Sequence, residues 1–250
     1  MKPRAWPTAL LVFGITFGVS ASGVTAPPCP PPQVRIEGGT SASINCPTVP
    51  SGDLYATTFP AAENPISEGG KWTNGKVAGL DWNNVQTVPG AAYGADFAIG
   101  YDDSIAVLNT TFTANQFAEG VVRRASGYSP TVSHEVELLL RFQVTPNNAR
   151  GYEVLYSQDG WLVIVRWNGP LANYTELASS GGPVSGNAAD GDVIRAEIVG
   201  NAIRVFKNGT LVLTGSDATW TTGQPGMGFW PKPGATIQAY GWKSYTAGSL

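Results

Sequence analysis

The amino-acid sequence predicts an all-β protein built as a two-sheet antiparallel sandwich. Charged residues make up only 13% of the chain and hydrophobic residues 42%, while glycine (31) and proline (19), the residues of turns, are abundant. From Tyr55 onward, short runs of alternating apolar and polar residues recur, and each run ends in turn residues. No run sustains a helical period, and no repeat of roughly 20–50 residues indicates a propeller or solenoid. So many short strands need two stacked sheets or a closed barrel, and we expect the sandwich.

The N terminus has the features of a secretory signal peptide. Residues 1–4 are basic, residues 9–19 are apolar, and residues 19–21 are small enough for cleavage after Ala21. The apolar stretch is too short to span a bilayer, and the alternative is a buried N-terminal helix. We therefore expect a secreted protein, extracellular or periplasmic, with its signal peptide at residues 1–21.

A proline-rich arm at residues 22–54 is expected to precede the main domain at residues 55–250. The arm holds both cysteines of the chain, Cys29 and Cys46, which are seventeen positions apart. Export into an oxidising compartment favours a disulfide between them, worth roughly 3 kcal/mol in the chain-entropy model. The prediction is a disulfide-stapled arm.

Within the main domain, the clearest predicted strand covers residues 135–144. Val136, Leu138, Leu140, Phe142 and Val144 alternate there with mostly polar residues, which predicts one buried face. Further strands are expected at residues 151–157, 161–167, 193–199, 202–207, 226–230 and 237–245.

The hairpin predicted at residues 193–207 turns at Gly200-Asn201. Its register would place Glu197 beside Arg204 as a pair of opposite charges.

Charge and hydropathy exclude several classes of partner. The net charge is −3 and no polybasic run occurs, so neither nucleic acid nor an anionic membrane surface is an expected partner. No later apolar stretch is long enough for membrane insertion. A neutral or weakly charged partner fits better, and the sequence does not indicate an oligomeric state.

Several segments together resemble a known family. They are GLDWNNVQT (79–87), YDDS (101–104), HEVEL (134–138), GYE (151–153), IVRWNGP (164–170), GDVI to KNG (191–209) and GQPGMGF (223–229). In order and spacing they resemble secreted bacterial proteins of the concanavalin A-like lectin/glucanase superfamily, in its laminin-G-like branch. The resemblance covers about residues 55–247. It implies a jelly roll with one convex and one concave sheet, and a carbohydrate or polysaccharide partner on the concave face.

The same resemblance leaves catalysis open, because the superfamily includes lectins, binding modules, glycosidases and polysaccharide lyases. Its retaining glucanases carry a Glu-x-Asp-x-x-Glu strand, and here Glu135 and Glu137 are followed by leucines instead. The Gln-x-His motif of its alginate-lyase branch is absent as well. An enzyme is therefore not favoured, and its catalytic candidates would be Glu135, Glu137 and His134.

Polar and aromatic residues on the predicted strands supply a candidate ligand site. Carboxylates and arginine forks hydrogen-bond sugar hydroxyls in fixed directions, and an indole ring stacks on a sugar face. The proposed contacts are Glu137, Arg141, Glu153, Arg166 and Trp167. The alternative for the polar residues is a ladder of cross-strand ion pairs. The alternative for Trp161 and Trp167 is a position in the core, and the valines on the same face of their strand favour that position.

No cofactor and no metal are predicted. The loop acids Asp102, Asp103, Asp190 and Asp192 are of the type that binds structural calcium, but their spacing matches no calcium-loop signature. Three functions remain: a carbohydrate-binding jelly roll, which is preferred, a glycoside hydrolase or polysaccharide lyase of the same fold, and a non-catalytic cell-surface structural or interaction domain.

Overall fold

Fifteen β-strands and a single turn of 3-10 helix (Ile237–Ala239) account for the regular structure of the described residues. The computed structural model describes residues 53–79, 81–126, 133–233 and 236–250, and all of them belong to one compact unit. The predicted signal peptide and the predicted Cys29–Cys46 disulfide lie outside these residues. Within the described ranges, no helix is long and apolar enough to cross a bilayer.

The strands form two antiparallel sheets, which confirms the predicted all-β class. The eight-stranded sheet contains β1 (Leu54–Thr57), β3 (Val85–Val88), β4 (Ala91–Gly94), β6 (Gln116–Arg124), β11 (Val193–Val199), β12 (Ala202–Lys207), β13 (Thr210–Ser216) and β15 (Tyr240–Ser249). The seven-stranded sheet contains β2 (Trp72–Asn74), β5 (Ser104–Leu108), β7 (Glu135–Thr145), β8 (Asn148–Ser157), β9 (Leu162–Gly169), β10 (Tyr174–Ser179) and β14 (Gln224–Trp230).

Strand order differs from chain order in both sheets. The eight-stranded sheet runs β13-β12-β11-β6-β15-β4-β3, with β1 also paired to β15. The seven-stranded sheet runs β10-β9-β8-β7-β14-β5-β2. The crossovers bring β14 beside β7 and β5 beside β14, although β14 is about eighty residues later in the chain than β7. The predicted β11–β12 hairpin is confirmed, including the pair Glu197–Arg204 at 3.2 Å.

The main core lies between the sheets and follows from the alternation of each strand. Val136, Leu138 and Leu140 of β7 are fully buried there, together with alternate residues of β6, β11 and β12. Trp242 of β15 is also fully buried and lies over Gly120 of β6, where an added Cβ would come within 2.5 Å of the indole ring. Burial of this kind supplies the driving force for a sandwich.

A bulge in β7 overturns part of the predicted alternation. Leu140 pairs with Tyr152 and the next aligned pair is Gln143 with Arg150, so two residues of β7 oppose one residue of β8. Arg141, at the bulge, has a φ of 47°. After it the parity of the strand reverses. The expectation that Phe142 and Val144 share the core face with Val136 is therefore wrong: both pack on the outer face of the sheet.

Irregular pairing also occurs at β10 and β13, each of which is the terminal strand of its sheet. The β10–β9 register shifts between Glu176 and Ala178, and the β13–β12 register shifts between Val205 and Phe206. β10 and β13 lie at the ends of their respective sheets and contact each other across the sandwich.

Candidate functional site

The outer face of the seven-stranded sheet carries a second apolar cluster and, beside it, a cavity. Residues 75–79 and 81–84 cross one half of this face, and Gly79 accepts a backbone hydrogen bond from Asn147 in the β7–β8 turn (2.9 Å). Trp82 of this segment is buried against Phe142 and Trp167, with ring centroids at 6.3 and 4.5 Å. The other half of the face, above the beginning of β7, stays open.

The cavity there has a volume of about 340 Å³. Carboxyl groups of Asp103, Glu135 and Glu153 lie at its floor, since they project from adjacent parts of the sheet. Its aromatic lining consists of Tyr101, Trp161, Trp167, Tyr174 and Trp230. The volume and the mixture of apolar walls with a few polar groups are typical of small-molecule sites.

Three of the lining rings are open to solvent: Tyr101 is 48% exposed, Trp161 40% and Tyr174 41%. Tyr174 contacts both Tyr101 (5.6 Å between centroids) and the buried Trp167 (5.4 Å). The rings therefore continue from the second apolar cluster to the cavity mouth.

Strand geometry explains why the carboxyl groups meet. Glu137 pairs with Gly228 of β14, and Gly228 pairs on its other side with Ile105 of β5. A Cβ at Gly228 would collide with the carboxyl group of Glu137, so the side chain of Glu137 lies over this glycine. Asp103 precedes Ile105 by two residues and shares its face of the sheet. A strand position without a side chain thus lets β7 and β5 bring their acids together.

A cluster of three buried acids results, which we call the acid triad: Asp103, Glu137 and Glu153. One carboxyl oxygen of each lies within 4.8 Å of the others. Both oxygens of Glu137 are buried and have no hydrogen-bond partner among the described residues. Glu153 accepts a hydrogen bond from the indole N–H of Trp167 (2.7 Å).

Burial governs the pKa values of these groups. It raises the pKa of Glu153 to about 7, and the Trp167 hydrogen bond partly opposes that rise by favouring the ionised form. Burial, with the nearby charge of Glu153 as a second cause, raises the pKa of Glu135 to about 8. The pKa values of Asp103 and Glu137 are raised well above their usual range for the same two reasons. Burial therefore holds the pKa values of all four carboxyl groups above their usual range.

Two solved structures have a similar arrangement of strands. One is the carbohydrate recognition domain of Emp46p in its metal-free form, with 10% identity, 77% of this chain and 95% of that chain covered, and a TM-score of 0.52. The other is the GlcNAcα1-4Gal-releasing endo-β-galactosidase from Clostridium perfringens, with 11% identity, 84% and 66% covered, and a TM-score of 0.50. The chain shares their jelly-roll fold. No protein-family model matches the sequence, and no curated protein matches it either.

The jelly roll brings together only some of the sequence-predicted site residues. Glu153, Trp167 and the catalytic candidate Glu135 line the cavity, and Glu137 lies below its floor in the acid triad. His134 is buried and does not line the cavity; burial lowers its pKa to about 4, so its ring is neutral at neutral pH.

The two predicted arginine contacts lie elsewhere. Because of the β7 bulge, Arg141 donates to three loop carbonyls at one end of the sandwich: Ala114 (2.7 Å), Gly200 (2.8 Å) and Trp220 (3.1 Å).

Arg166 has the strand parity of Leu162 and Ile164, which face the main core, and it pairs with Asp217 at 2.6 Å. The expected polar floor that combined Glu137 and Glu153 with both arginines does not form.

The aromatic residues also differ from the expectation. Trp167 is buried, as the valines on its face favoured, but it lies with Val163 and Val165 in the second apolar cluster on the outer face of the sheet and not between the sheets. Trp161 is 40% exposed, so the core position is wrong for that ring. Tyr101 and Tyr174 were missed, and Asp103 was considered only as a loop acid. Strand alternation can indicate the face on which Asp103 lies, but the sequence does not show that β14 lies between β7 and β5.

Proposed function

We propose that this protein is a secreted carbohydrate-binding jelly roll of the laminin-G-like kind, and that it holds its glycan in the cavity above the acid triad. The observation that carries the proposal is the combination of solvent-open aromatic rings with carboxyl groups at one floor. A sugar ring has apolar C–H faces that pack on aromatic rings, and hydroxyl groups that need hydrogen-bond partners in fixed directions. The cavity offers both kinds of contact.

The proposed roles differ from the contacts expected at first. Trp161 and Tyr174 stack on the sugar, because their rings are exposed to solvent and a sugar in the cavity can reach them. Glu135 and Glu153 bind hydroxyl groups, as acceptors when ionised and as donors when protonated. Arg141 and Arg166 are not included, since their guanidinium groups are engaged away from the cavity.

The test is a glycan array followed by calorimetry with the best ligand. Trp161→Ala and Tyr174→Ala should each weaken binding roughly tenfold, because a lost stacking contact costs about 1–1.5 kcal/mol. Phe206→Ala, a partly buried aromatic residue on β12 of the other sheet, is the matched control and should bind normally. Binding to no glycan above a control protein would refute the proposal and favour a non-catalytic interaction domain.

Glycoside hydrolysis is a second candidate, favoured by the spacing and the unequal pKa values of the acids. Retaining glycosidases hold two carboxyl groups about 5–5.5 Å apart, one protonated and one ionised. One carboxyl oxygen of Asp103 lies within 4.8 Å of one of Glu153, so the two groups are close enough to act on one glycosidic bond. Glu153, oriented by Trp167, would attack the anomeric carbon, and a protonated neighbour, Asp103 or Glu135, would protonate the leaving oxygen.

A polysaccharide panel assayed for new reducing ends tests this candidate. If it is correct, Glu153→Gln should lower kcat by about 100-fold or more while leaving ligand affinity within a few fold, because the amide cannot act as a nucleophile. The reaction should rise with pH through about 7, the pKa of Glu153. No reducing ends from any polysaccharide would eliminate hydrolysis and leave the binding proposal standing.

A further inference from the structure

The acid triad is unusual for a protein interior because its carboxyl groups have no cationic side chain as a partner among the described residues. None of the ion pairs among the described residues includes Asp103, Glu137 or Glu153. All three side chains are nonetheless buried, with exposures of 6%, 0% and 3%. Buried carboxyl groups are normally paired with a cation or satisfied by several hydrogen bonds, since burial of an uncompensated charge is costly.

Glu137 is a second reason to expect a bound ligand, beyond the clustering of the acids. It does not line the cavity, so no large ligand can reach it, and neither of its oxygens has a hydrogen-bond partner among the described residues. A buried polar group in this condition calls for a specific explanation, such as a bound ion. β14 leaves the space that lets Glu137 reach the triad, because Gly228 has no side chain in the way.

We propose that Asp103, Glu137 and Glu153 together bind one divalent cation of the size of Ca²⁺. Calcium binds carboxyl oxygens at about 2.3–2.6 Å, so two ligands on opposite sides of the ion lie up to about 5 Å apart. Three oxygens within 4.8 Å of one another fit on such a sphere. Magnesium fits less well, because its ligands lie at about 2.0–2.1 Å and it keeps several waters.

The surroundings of the triad support a metal site in two further ways. The Trp167 indole donates to Glu153, and a hydrogen bond of this kind from outside the ligand set fixes the orientation of a metal ligand. Asp103 and Glu153 line the cavity whereas Glu137 lies beneath it, so the open coordination positions face the cavity. Water fills them in the free protein, and a sugar hydroxyl can replace water if the proposed glycan binds.

Thermal unfolding of the chelator-treated protein tests the site without any sugar. Adding Ca²⁺ to about 100 times its Kd should raise Tm by roughly 5–10 °C, because the ion binds only the folded triad. Calorimetry should show one ion bound per chain.

Glu137→Gln should abolish the Ca²⁺ response while the protein still folds, since the amide keeps the shape of the side chain and carries no charge. Glu119→Gln on β6 makes the same chemical change on the other sheet and should respond like the unaltered protein. If Glu137→Gln does not fold, Asp103→Asn is the second variant. An unchanged Tm with Ca²⁺, or an equal rise in Glu137→Gln, would overturn the metal site. The glycan proposal is judged separately by sugar binding.

Discussion

The carboxyl group of Glu153 is subject to two opposing influences on its pKa. Burial favours the protonated form, and the N–H of Trp167, which donates to the ionised form, favours the charge. Among the described residues no such hydrogen bond opposes burial at Glu135, and the charge of Glu153 raises the pKa of Glu135 further, to about 8. One indole group thus partly offsets the effect of burial on the pKa of Glu153.

A stability measurement tests the raised pKa of Glu135. In the unfolded chain this carboxyl ionises near the ordinary glutamate pKa of 4.5, and in the metal-free folded protein near 8. Between these values the folded state holds a proton that the unfolded state has released, so stability falls as pH rises. The contribution is full below about pH 4.5 and is lost by about pH 8, at roughly 1.4 kcal/mol per pH unit. The neighbouring acids with raised pKa values add to the same trend.

Glu135→Gln should therefore flatten the decline of the unfolding free energy between pH 5 and pH 8, measured by urea denaturation in the presence of a chelator. Glu119→Gln is the control and should leave the slope unchanged, because this acid is partly open to solvent and lies on the other sheet. A slope in Glu135→Gln equal to that of the parent protein would show that Glu135 ionises at an ordinary pKa.

At the scale of the strand, an absent side chain matters as much as those present. β14 places Gly226 and Gly228 on the outer face of the sheet, alternating with the buried Met227 and Phe229 of the main core. Gly228 is the position over which the Glu137 side chain reaches toward Asp103. The acid triad therefore depends on the sequence of a strand that contributes no functional group to it.

Gly228→Ala should lower the free energy of unfolding by about 1–3 kcal/mol, because the added methyl group collides with the Glu137 carboxyl group and overpacks the site. Urea denaturation measures the loss. Gly182→Ala is the matched control, since nothing lies within 4 Å of its Cβ position and its effect should stay within about 0.5 kcal/mol. Equal stability of the two variants would mean that Glu137 is directed away from Gly228.

Strand alternation predicted the faces of β7 as far as Leu140 and failed one residue later. The period of two places Glu135 and Glu137 opposite Val136 and Leu138, as the structure shows. The bulge at Arg141 is not visible in the sequence, since neither glycine nor proline marks it, and it reverses every later assignment on the strand. This is why Arg141 was assigned to the ligand site, although it holds three loops together instead.

At the scale of the whole molecule, composition and alternation sufficed to predict two stacked antiparallel sheets. The site was less accessible, because it depends on which strands become neighbours. Glu137 and Glu153 come from consecutive strands and were predicted together, whereas Asp103 reaches them only through the order β7-β14-β5. Long-range pairing of this kind leaves no local signal in the chain. Secretion and the laminin-G-like assignment remain predictions.

The shifted registers at β10 and β13 have a consequence for encounters between copies of the molecule. A regular terminal strand offers an uninterrupted row of amide and carbonyl groups on which another chain can add as a strand, and this is a common route to aggregation. At these two adjoining strands the shifts near Glu176 of β10 and Val212 of β13 interrupt that row. This side of the jelly roll is consequently a poor template for edge-to-edge growth, which favours colloidal stability at high protein concentration.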